Sequence, residues 1–287
     1  MTGGLRQGGA ARQDLLAEIV ASVRRDLAAK RERQPREQLV RVAHDLAPRG
    51  SLFVEALARP GRINVIAECK RRSPTGGTLC QDYRPGRIAQ GYRTAGAAAV
   101  SVLTEPRYFG GTIGDLREVT SAVDLPVLRK DFIIDEYQLV ESRAAGADAV
   151  LLIAAALEGA QLRDLIVRAR KLDLAAVVEA HDASDVERAI EAGATIIGVN
   201  SRDLRTLTVD LQTSATLIRS IPAGIVAVAE SGIDSPESLA HLRECGYHAF
   251  LIGGHLMSSP DPGGALADLL QGVTPSCGQL RGESRCG

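Results

Sequence analysis

Residues 126–153 have the sequence PVLRKDFIIDEYQLVESRAAGADAVLLI. This segment begins with a short apolar run, 126–130, and ends with another, 148–153, while 136–145 between them has helical periodicity. Two strands joined by a helix predict a βαβ unit, the element from which parallel sheets are built. Neither run alternates polar and apolar residues, so we expect both faces of each strand to be buried.

The same unit recurs along the chain. Further apolar runs lie at 63–68 (INVIAE), 98–103 (AAVSVL), 175–179 (AAVVE), 195–200 (TIIGVN), 225–230 (IVAVAE) and 249–253 (AFLIG). Helical segments lie at 82–95, 113–123, 161–172, 183–192, 212–220, 236–244 and 262–270. Eight strands with eight following helices predict an α/β protein with a (β/α)8 TIM barrel. The alternative is an open doubly wound sheet, but no GxGxxG follows the first run.

Further features concern the turns that precede the strands and the two ends of the predicted domain. Ala-Gly-Ala triplets at 95–97, 145–147 and 192–194 precede three strands, and glycine there can cap a helix in the left-handed conformation. Apolar residues at helical spacing over 15–40 predict an extra N-terminal helix, and 39–46 with 52–57 add one or two turns. We therefore expect a disordered N-terminus (1–11), a single barrel domain (12–271) and a flexible tail (272–287).

Composition narrows the class of protein. Lys and Arg number 34 against 35 Asp and Glu, so the net charge of -1 gives no reason to expect nucleic acid or an anionic membrane as partner. The longest apolar stretch, 148–157, is far shorter than the roughly 20 residues that span a bilayer. The N-terminus carries no apolar signal segment. The cysteines, Cys69, Cys80, Cys245, Cys277 and Cys286, are scattered without CxxC spacing, which favours a reduced cytoplasm and no metal site.

Most polar residues suited to chemistry lie where a predicted strand ends. A buried parallel strand excludes charge from its middle but can present it at its carboxyl end, which is where barrel active sites lie. The residues in these positions are Glu68, Lys130, Glu179, Asn200 and Glu230. Each could belong to a structural ion pair, but their common position predicts one site built from several strands.

Spacing and burial suggest roles for some of these residues. Strand alternation directs Glu68 and Lys70 the same way, into the barrel mouth. Lys130 lies at the edge of an apolar strand, where desolvation is expected to lower its pKa toward the range of a general acid. Glu179 is expected to face it across the mouth, and Asn200 and Arg202 suit a substrate carboxylate or an enolic oxygen.

Two glycine-bearing loops follow the last two strands. They are Glu230-Ser231-Gly232-Ile233 and Gly253-Gly254-His255. In barrels of this kind these loops often bind phosphate through backbone N–H groups and a short helix. The sequence therefore predicts a phosphate ester as substrate. A lone histidine in such a turn is more often structural, so His255 is left out of the predicted mechanism.

Taken in order, these segments closely resemble the indole-3-glycerol phosphate synthase family. The order and spacing of nine segments agree with that family, which is far more specific than a single motif. The matching segments are 66–74 (IAECKRRSP), 103–111 (LTEPRYFGG), 128–138 (LRKDFIIDEYQ), 143–153 (RAAGADAVLLI), 178–181 (VEAH), 197–204 (IGVNSRDL), 209–211 (VDL), 230–233 (ESGI) and 251–257 (LIGGHLM).

The resemblance implies ring closure of 1-(2-carboxyphenylamino)-1-deoxyribulose 5-phosphate to indole-3-glycerol phosphate, with loss of carbon dioxide and water and no cofactor. Lys130 would be the general acid, and Glu179 would transfer a proton in the dehydration. Lys70, held by Glu68, would pair with the substrate carboxylate or act as a second acid. The resemblance places Asn200, Arg202, Glu230 and Ser231 in the pocket, Phe109 and Phe132 in its apolar wall, and Ser73, Gly232, Gly253 and Gly254 at the phosphate.

One departure from the family leaves alternatives open. Gly254 stands where the family commonly has a serine, so a hydroxyl to the phosphate is missing. A non-catalytic or specialised-metabolism paralogue that binds a phosphorylated ligand is therefore the alternative. A phosphoribosylanthranilate isomerase would need a Cys and Asp pair where Lys130 and Glu179 stand. We expect a cytoplasmic monomer or weak homodimer whose partner is a small phosphorylated substrate.

Overall fold

The computed structural model describes residues 14–47, 49–74, 76–202 and 208–273. Within them, eight parallel strands close into a barrel, which confirms the predicted (β/α)8 fold. The strands are β1 (Asn64–Cys69), β2 (Ala99–Leu103), β3 (Val127–Lys130), β4 (Ala149–Ile153), β5 (Ala175–Ala180), β6 (Ile196–Asn200), β7 (Val226–Glu230) and β8 (Ala249–Ile252). Each strand pairs with its sequence neighbours, and β8 closes the barrel against β1.

Helices alternate with the strands, and a short two-stranded hairpin, Arg72–Ser73 with Gly77–Thr78, follows β1. The α-helices are α1 (Asp14–Arg33), α2 (Arg36–His44), α3 (Gly50–Leu57), α4 (Pro85–Ala95), α5 (Ile113–Ala122), α6 (Glu136–Ala144), α7 (Gly159–Lys171), α8 (Ala183–Glu191), α9 (Leu211–Leu217), α10 (Pro236–Glu244), α11 (Gly254–Met257) and α12 (Pro262–Gln271). The predicted disordered segment, 1–11, and most of the predicted tail, 272–287, lie outside the described residues, so the domain limits stay predictions.

The N-terminal extension was predicted as one helix over 15–40 with one or two further turns over 39–46 and 52–57, and it has three separate helices. It consists of α1, α2 and α3, and α1 and α2 separate at Pro35, which stands just ahead of α2 with an extended backbone. Proline suits the start of a helix because it lacks an N–H to donate. Phe53 and Leu57 of α3 are fully buried among the side chains that fill the barrel, so α3 contributes to the barrel core itself.

Two apolar layers hold the barrel together. Its interior is filled by strand residues such as Ile66, Leu128 and Val177, all fully buried. A larger layer lies between the outward faces of the strands and the surrounding helices. The predicted glycine turns are confirmed at Gly96 and Gly146, which have φ values of 92° and 85°, a region that glycine enters without strain.

The register of the strands brings the predicted polar residues to one end of the barrel. Asn200 at the end of β6 pairs with Glu230 at the end of β7, and Glu179 near the end of β5 pairs with the last residue of β4. Lys130 ends β3. Since the strands are parallel, these side chains share the carboxyl rim. No helix among the described residues is long and apolar enough to cross a membrane.

Candidate active site

A cavity of about 880 Å³ opens at the carboxyl ends of the strands. It is large enough for a ligand of drug-like size. Every site residue predicted from the sequence lines it; these residues are Glu68, Lys70, Ser73, Phe109, Lys130, Phe132, Glu179, Asn200, Arg202, Glu230, Ser231, Gly232, Gly253 and Gly254. The structure thus brings these side chains together, while their individual roles stay predictions.

Lys130 stands at the centre of the charged part of the cavity. Its Nζ lies 3.0 Å from Glu179 Oε2 and 3.1 Å from Glu230 Oε2. Both carboxylates are buried, and the lysine side chain is 16% exposed. Charge-assisted hydrogen bonds of this length fix the position of the ammonium group. One cation is therefore held between two carboxylates from β5 and β7.

The expected fall in the pKa of Lys130 is wrong. Burial does lower the pKa, but the negative charges of Glu179, Glu230 and Glu68 outweigh burial and raise it overall. Desolvation follows from the place of Lys130 in an apolar strand, whereas the number of carboxylates around its ammonium group depends on the fold. Lys130 is thus fully protonated at rest and needs a neighbouring charge to be neutralised before it becomes an effective acid.

The two carboxylates next to Lys130 differ in their surroundings. Burial raises the pKa of Glu179, but the positive charges of Lys130 and His181 outweigh it, so the net shift is downward. Burial also raises the pKa of Glu230. The positive charge of Lys130 lowers this pKa, but burial and the negative charge of Glu179 together outweigh Lys130, so the net shift is upward. Glu179 has two cationic neighbours and Glu230 has one, so a proton entering the pair settles on Glu230.

The second lysine of the cavity forms a pair of its own. Lys70 Nζ lies 2.6 Å from Glu68 Oε1, which confirms that both side chains point into the mouth. Among the described residues, the buried Oε2 of Glu68 has no hydrogen-bond partner. Gly253 packs against the Glu68 carboxylate so closely that a Cβ would stand 2.1 Å from Oε1. The glycine is therefore needed for the position of Glu68.

The ends of β6 and β7 are linked by hydrogen bonds. Asn200 Oδ1 accepts the hydroxyl of Ser231 at 2.8 Å and the backbone N–H of Arg202 at 3.0 Å. Ser231 and Gly232 have φ values of 68° and 74°, so the chain turns through two successive left-handed residues directly after β7. A left-handed non-glycine residue is uncommon and often marks a functional turn.

The phosphate side of the predicted site is lined by the loops after β1, β7 and β8. Ser73 Oγ accepts the N–H of Gly76 at 2.9 Å. Gly254 begins the short helix α11, and a Cβ added there would meet no atom within 4 Å. The space for the serine hydroxyl of the family is therefore present. Among the described residues, no group of three or more His, Cys, Asp and Glu could hold a metal ion.

An apolar wall faces the charged cluster. The rings of Phe109 and Phe132 lie 6.2 Å apart between centroids, tilted by 37°. The loop that carries Phe109 is held by Glu105, whose carboxylate accepts three backbone N–H groups at 2.7–3.1 Å. The N-terminal helix α1 adds Leu15, Leu16 and Ile19 to the lining, which the sequence analysis missed. Their helical periodicity was visible, but nothing in it indicated that they reach the cavity.

A buried charge network behind Lys130 was also missed. Arg129 is 1% exposed, and its guanidinium contacts Asp131 Oδ2 and Glu141 Oε2, each at 2.8 Å. It also donates to Thr104 Oγ1 and Ser142 Oγ. Arg129 thus ties β3 to α6 next to the catalytic candidate. An arginine inside an apolar strand was the available signal, because a buried charge requires partners.

His181 follows β5 and was quoted in the family motif without a role. Its Nε2 lies 3.3 Å from Glu179 Oε1, and its side chain is 13% exposed. Burial lowers its pKa, but Asp185 and Glu179 outweigh burial and raise it. The two-residue spacing of Glu179 and His181, which is also that of Glu68 and Lys70, was the available signal for this contact.

The fold and the rim cluster define the class of protein as a (β/α)8-barrel enzyme with lysine and glutamate side chains in one site. Two solved structures have the same fold at low identity. A thiamine phosphate pyrophosphorylase from Pyrococcus furiosus has a TM-score of 0.56 at 16% identity and covers 74% of this chain and 95% of its own. An N-acetylmannosamine-6-phosphate 2-epimerase from Clostridium perfringens has a TM-score of 0.53 at 17% identity. It covers 67% of this chain and 86% of its own. Both show the fold alone.

Sequence comparison is more specific. Residues 16–269 match the family model of indole-3-glycerol phosphate synthase. A protein of that name from Laribacter hongkongensis is 45% identical over 262 residues, which is 89% of this chain and 98% of the relative. "Indole-3-glycerol phosphate synthase 1" from Streptomyces coelicolor is 47% identical over 256 residues, which is 89% of this chain and 94% of the relative. The chain belongs to the indole-3-glycerol phosphate synthase family.

Proposed function

We propose that the cavity cyclises 1-(2-carboxyphenylamino)-1-deoxyribulose 5-phosphate to indole-3-glycerol phosphate, releasing carbon dioxide and water. Membership of the family makes the chain a carboxy-lyase of tryptophan biosynthesis. The observation that carries the assignment of roles is the position of Lys130 between Glu179 and Glu230. This arrangement supplies an acid, a base and a group that can exchange protons with the acid, all in one cavity.

The substrate would lie across the cavity from the charged rim to the glycine loops. Its phosphate would meet Ser73, Gly232, Gly253 and Gly254, where backbone N–H groups and a hydroxyl line the wall. Its aromatic ring would lie against Phe109 and Phe132. Lys70, which Glu68 holds through a 2.6 Å contact, would pair with the substrate carboxylate.

Ring closure joins the aryl carbon that bears the carboxylate to the carbonyl carbon of the sugar chain. The carbonyl oxygen gains negative charge as this bond forms, and Lys130 would donate a proton to it. The carboxylate then leaves as carbon dioxide, and its bonding electron pair restores the aromatic ring. Glu230 keeps a proton to higher pH than an ordinary glutamate, so it would return a proton to Lys130 across 3.1 Å.

Dehydration completes the indole ring. The new hydroxyl leaves as water with a proton from one of the two ammonium groups, and the neighbouring methylene carbon loses a proton. Glu179 would accept that proton, because Lys130 and His181 keep it ionised. Asn200 and Arg202 would hold polar groups of the substrate from β6. Every transferred proton thus has a donor or acceptor on the rim.

The test is the formation of product by the purified full-length chain. At micromolar enzyme, the anthranilate-derived substrate should give a steady growth of indole fluorescence and one equivalent of carbon dioxide. Binding of the substrate without product would support a non-catalytic phosphate-binding paralogue instead. Absence of both binding and product would overturn the assignment of the cavity.

The proposal extends to the state of the protein in the cell. The cysteines that the structure describes, Cys69, Cys80 and Cys245, are free thiols, which supports a reducing compartment such as the cytoplasm. We propose a monomer or weak homodimer, because no step above requires a second subunit. Light scattering over a range of protein concentrations would test this, and a concentration-independent oligomer would contradict it.

A further inference from the structure

His181 bridges two carboxylates behind the proposed active site. On one side its Nε2 lies 3.3 Å from Glu179 Oε1, and on the other its Nδ1 lies 3.8 Å from Asp185 Oδ2. Neither contact has the geometry of a hydrogen bond, so both act through charge. The residue does not line the cavity. We therefore expect its influence on the reaction to pass through Glu179, which does line the cavity.

Asp185, on α8, is itself held in place. It accepts the backbone N–H of His181 at 3.1 Å, and its own N–H donates to Asp182 at 2.9 Å. Arg188 Nη1 lies 3.4 Å from Asp185 Oδ1, while the same guanidinium bonds the backbone carbonyls of Ala154 and Leu157. The start of α8 is thereby fixed to the segment after β4. Asp185 is therefore a negative charge held in a fixed position next to the imidazole ring.

The charges around His181 favour its protonated form. Glu179 on β5, Asp185 on α8 and Glu230 on β7 all raise its pKa, against the opposing effect of burial. Two cations lie near these carboxylates: Lys130 contacts Glu179 and Glu230, and Arg188 contacts Asp185. Two carboxylates therefore lie next to the ring and Glu230 adds a third charge further away, while Lys130 is paired with Glu179 and Glu230 and Arg188 with Asp185.

The two oxygens of Glu179 have separate partners. Oε2 contacts Lys130 at 3.0 Å, and Oε1 contacts His181 at 3.3 Å. The reaction proposed above requires this carboxylate to be ionised and to stay aimed at the cavity. A cation at Oε1 provides both conditions and leaves Oε2 directed toward the reacting groups.

We propose that His181 is a positioning residue for Glu179: placed between Glu179 and Asp185, it keeps the Glu179 carboxylate ionised and its Oε2 turned toward Lys130. The inference rests on the proposed function, because it assigns His181 to the support of that reaction. It predicts a chain of dependence from Asp185 through His181 to Glu179. Loss of Asp185 or His181 should alter the protonation of Glu179 without removing a group that touches substrate.

The first test measures the titration of His181 directly. The chain has five histidines, so long-range 1H–15N spectra of the labelled protein are tractable, and His181→Gln identifies the missing signal. His181 should titrate above the ordinary value of about 6.5. Asp185→Asn should lower its midpoint by about one pH unit or more. A midpoint at or below the ordinary value in the wild type would overturn the inference.

The second test follows the pH dependence of turnover. In His181→Gln the acidic limb of the kcat profile should move to higher pH by about one unit, which is about a tenfold loss of turnover on that limb, recovering as the pH rises. Asp185→Asn should shift the limb in the same direction. His241→Gln, at an exposed histidine on α10, should leave the profile unchanged.

A purely structural role for His181 would scale the whole profile without moving its limb, and that result would also overturn the inference. Should His181→Gln fail to fold, Asp185→Asn and the wild-type titration still decide the question. The titration needs no turnover, so its failure contradicts the role of His181 alone. An inactive wild-type protein, in contrast, would contradict the proposed function.

Discussion

Gly253 lies against the carboxylate of Glu68, with room for no side chain: a Cβ at Gly253 would stand 2.1 Å from Glu68 Oε1. The neighbouring Gly254 is different, because a Cβ there would meet no atom within 4 Å. Gly253→Ala should therefore push Glu68 away and break its 2.6 Å contact with Lys70. Gly254→Ala should leave this pair in place.

We expect Gly253→Ala to lose about tenfold to a hundredfold in kcat, since misplacement of a site group by about 1 Å can cost that much. Gly254→Ala is the matched control and should keep kcat near the wild-type value. The two variants would be compared by steady-state kinetics and by thermal unfolding. Equal activity of the two would show that Glu68 and Lys70 do not need their observed position.

Gly254→Ser should strengthen phosphate binding. The open space at this position accepts a serine hydroxyl, which could donate to the phosphate. A hydrogen bond to a charged group contributes about 1.5–3 kcal/mol, so KM should fall by about tenfold or more. Because the phosphate does not react, kcat should stay nearly constant. Gly159→Ser, at another helix start with open space, is the control. An unchanged KM would place the phosphate elsewhere.

The raised pKa of Glu230 has a consequence for stability. The folded protein keeps a proton on Glu230 at pH values where the unfolded chain has lost it. The stabilisation from this group is therefore complete below the ordinary glutamate pKa of about 4.3 and is lost as the pH rises through the raised pKa. Glu230→Gln cannot lose a proton, so its Tm relative to wild type should increase between pH 5 and pH 8.

Activity should fall in the same variant, because Glu230 is proposed to return a proton to Lys130. Glu237→Gln, at an exposed position on α10, controls for the loss of a charge and should show no such pH trend. A Tm difference that is constant from pH 5 to pH 8 would mean that Glu230 titrates alike in the folded and unfolded states.

Arg129 offers a test of the network behind the site. Arg129→Met would leave Asp131 and Glu141 buried without their shared cation. Breaking a buried ion pair in this way costs about 3–5 kcal/mol in the free energy of unfolding. Denaturation in guanidinium chloride would measure the loss. Arg84→Met, which removes an exposed ion pair, should change stability little. A small effect at Arg129 would mean that the carboxylates find other partners.

Much of the fold could be predicted from the sequence because its signals are local. Eight apolar runs with helices between them leave few arrangements other than a closed barrel, and Gly96 and Gly146 mark turns by a conformation that glycine alone adopts readily. The break at Pro35 was missed although the sequence carries its signals: a proline cannot continue a helix, and no large apolar residue lies between Leu27 and Leu39.

The site was predicted as a set of residues but not as a set of interactions. The position of Lys130 at the end of a strand follows from its place in the sequence. The rise in its pKa depends on three carboxylates from other strands, and their net effect follows only from distances. The roles of Arg129 and His181 were hidden for the same reason, since their partners lie on neighbouring helices as well as strands.

The central claim is that Lys130, between Glu179 and Glu230, is the acid of the ring closure. The most direct measurement is the single-turnover rate of product formation by Lys130→Met, compared with Lys171→Met at an exposed lysine of α7. Loss of a general acid should slow the reaction by about a hundredfold or more while substrate still binds. Lys171→Met should react at the wild-type rate. A Lys130→Met rate within a few-fold of wild type would contradict the account.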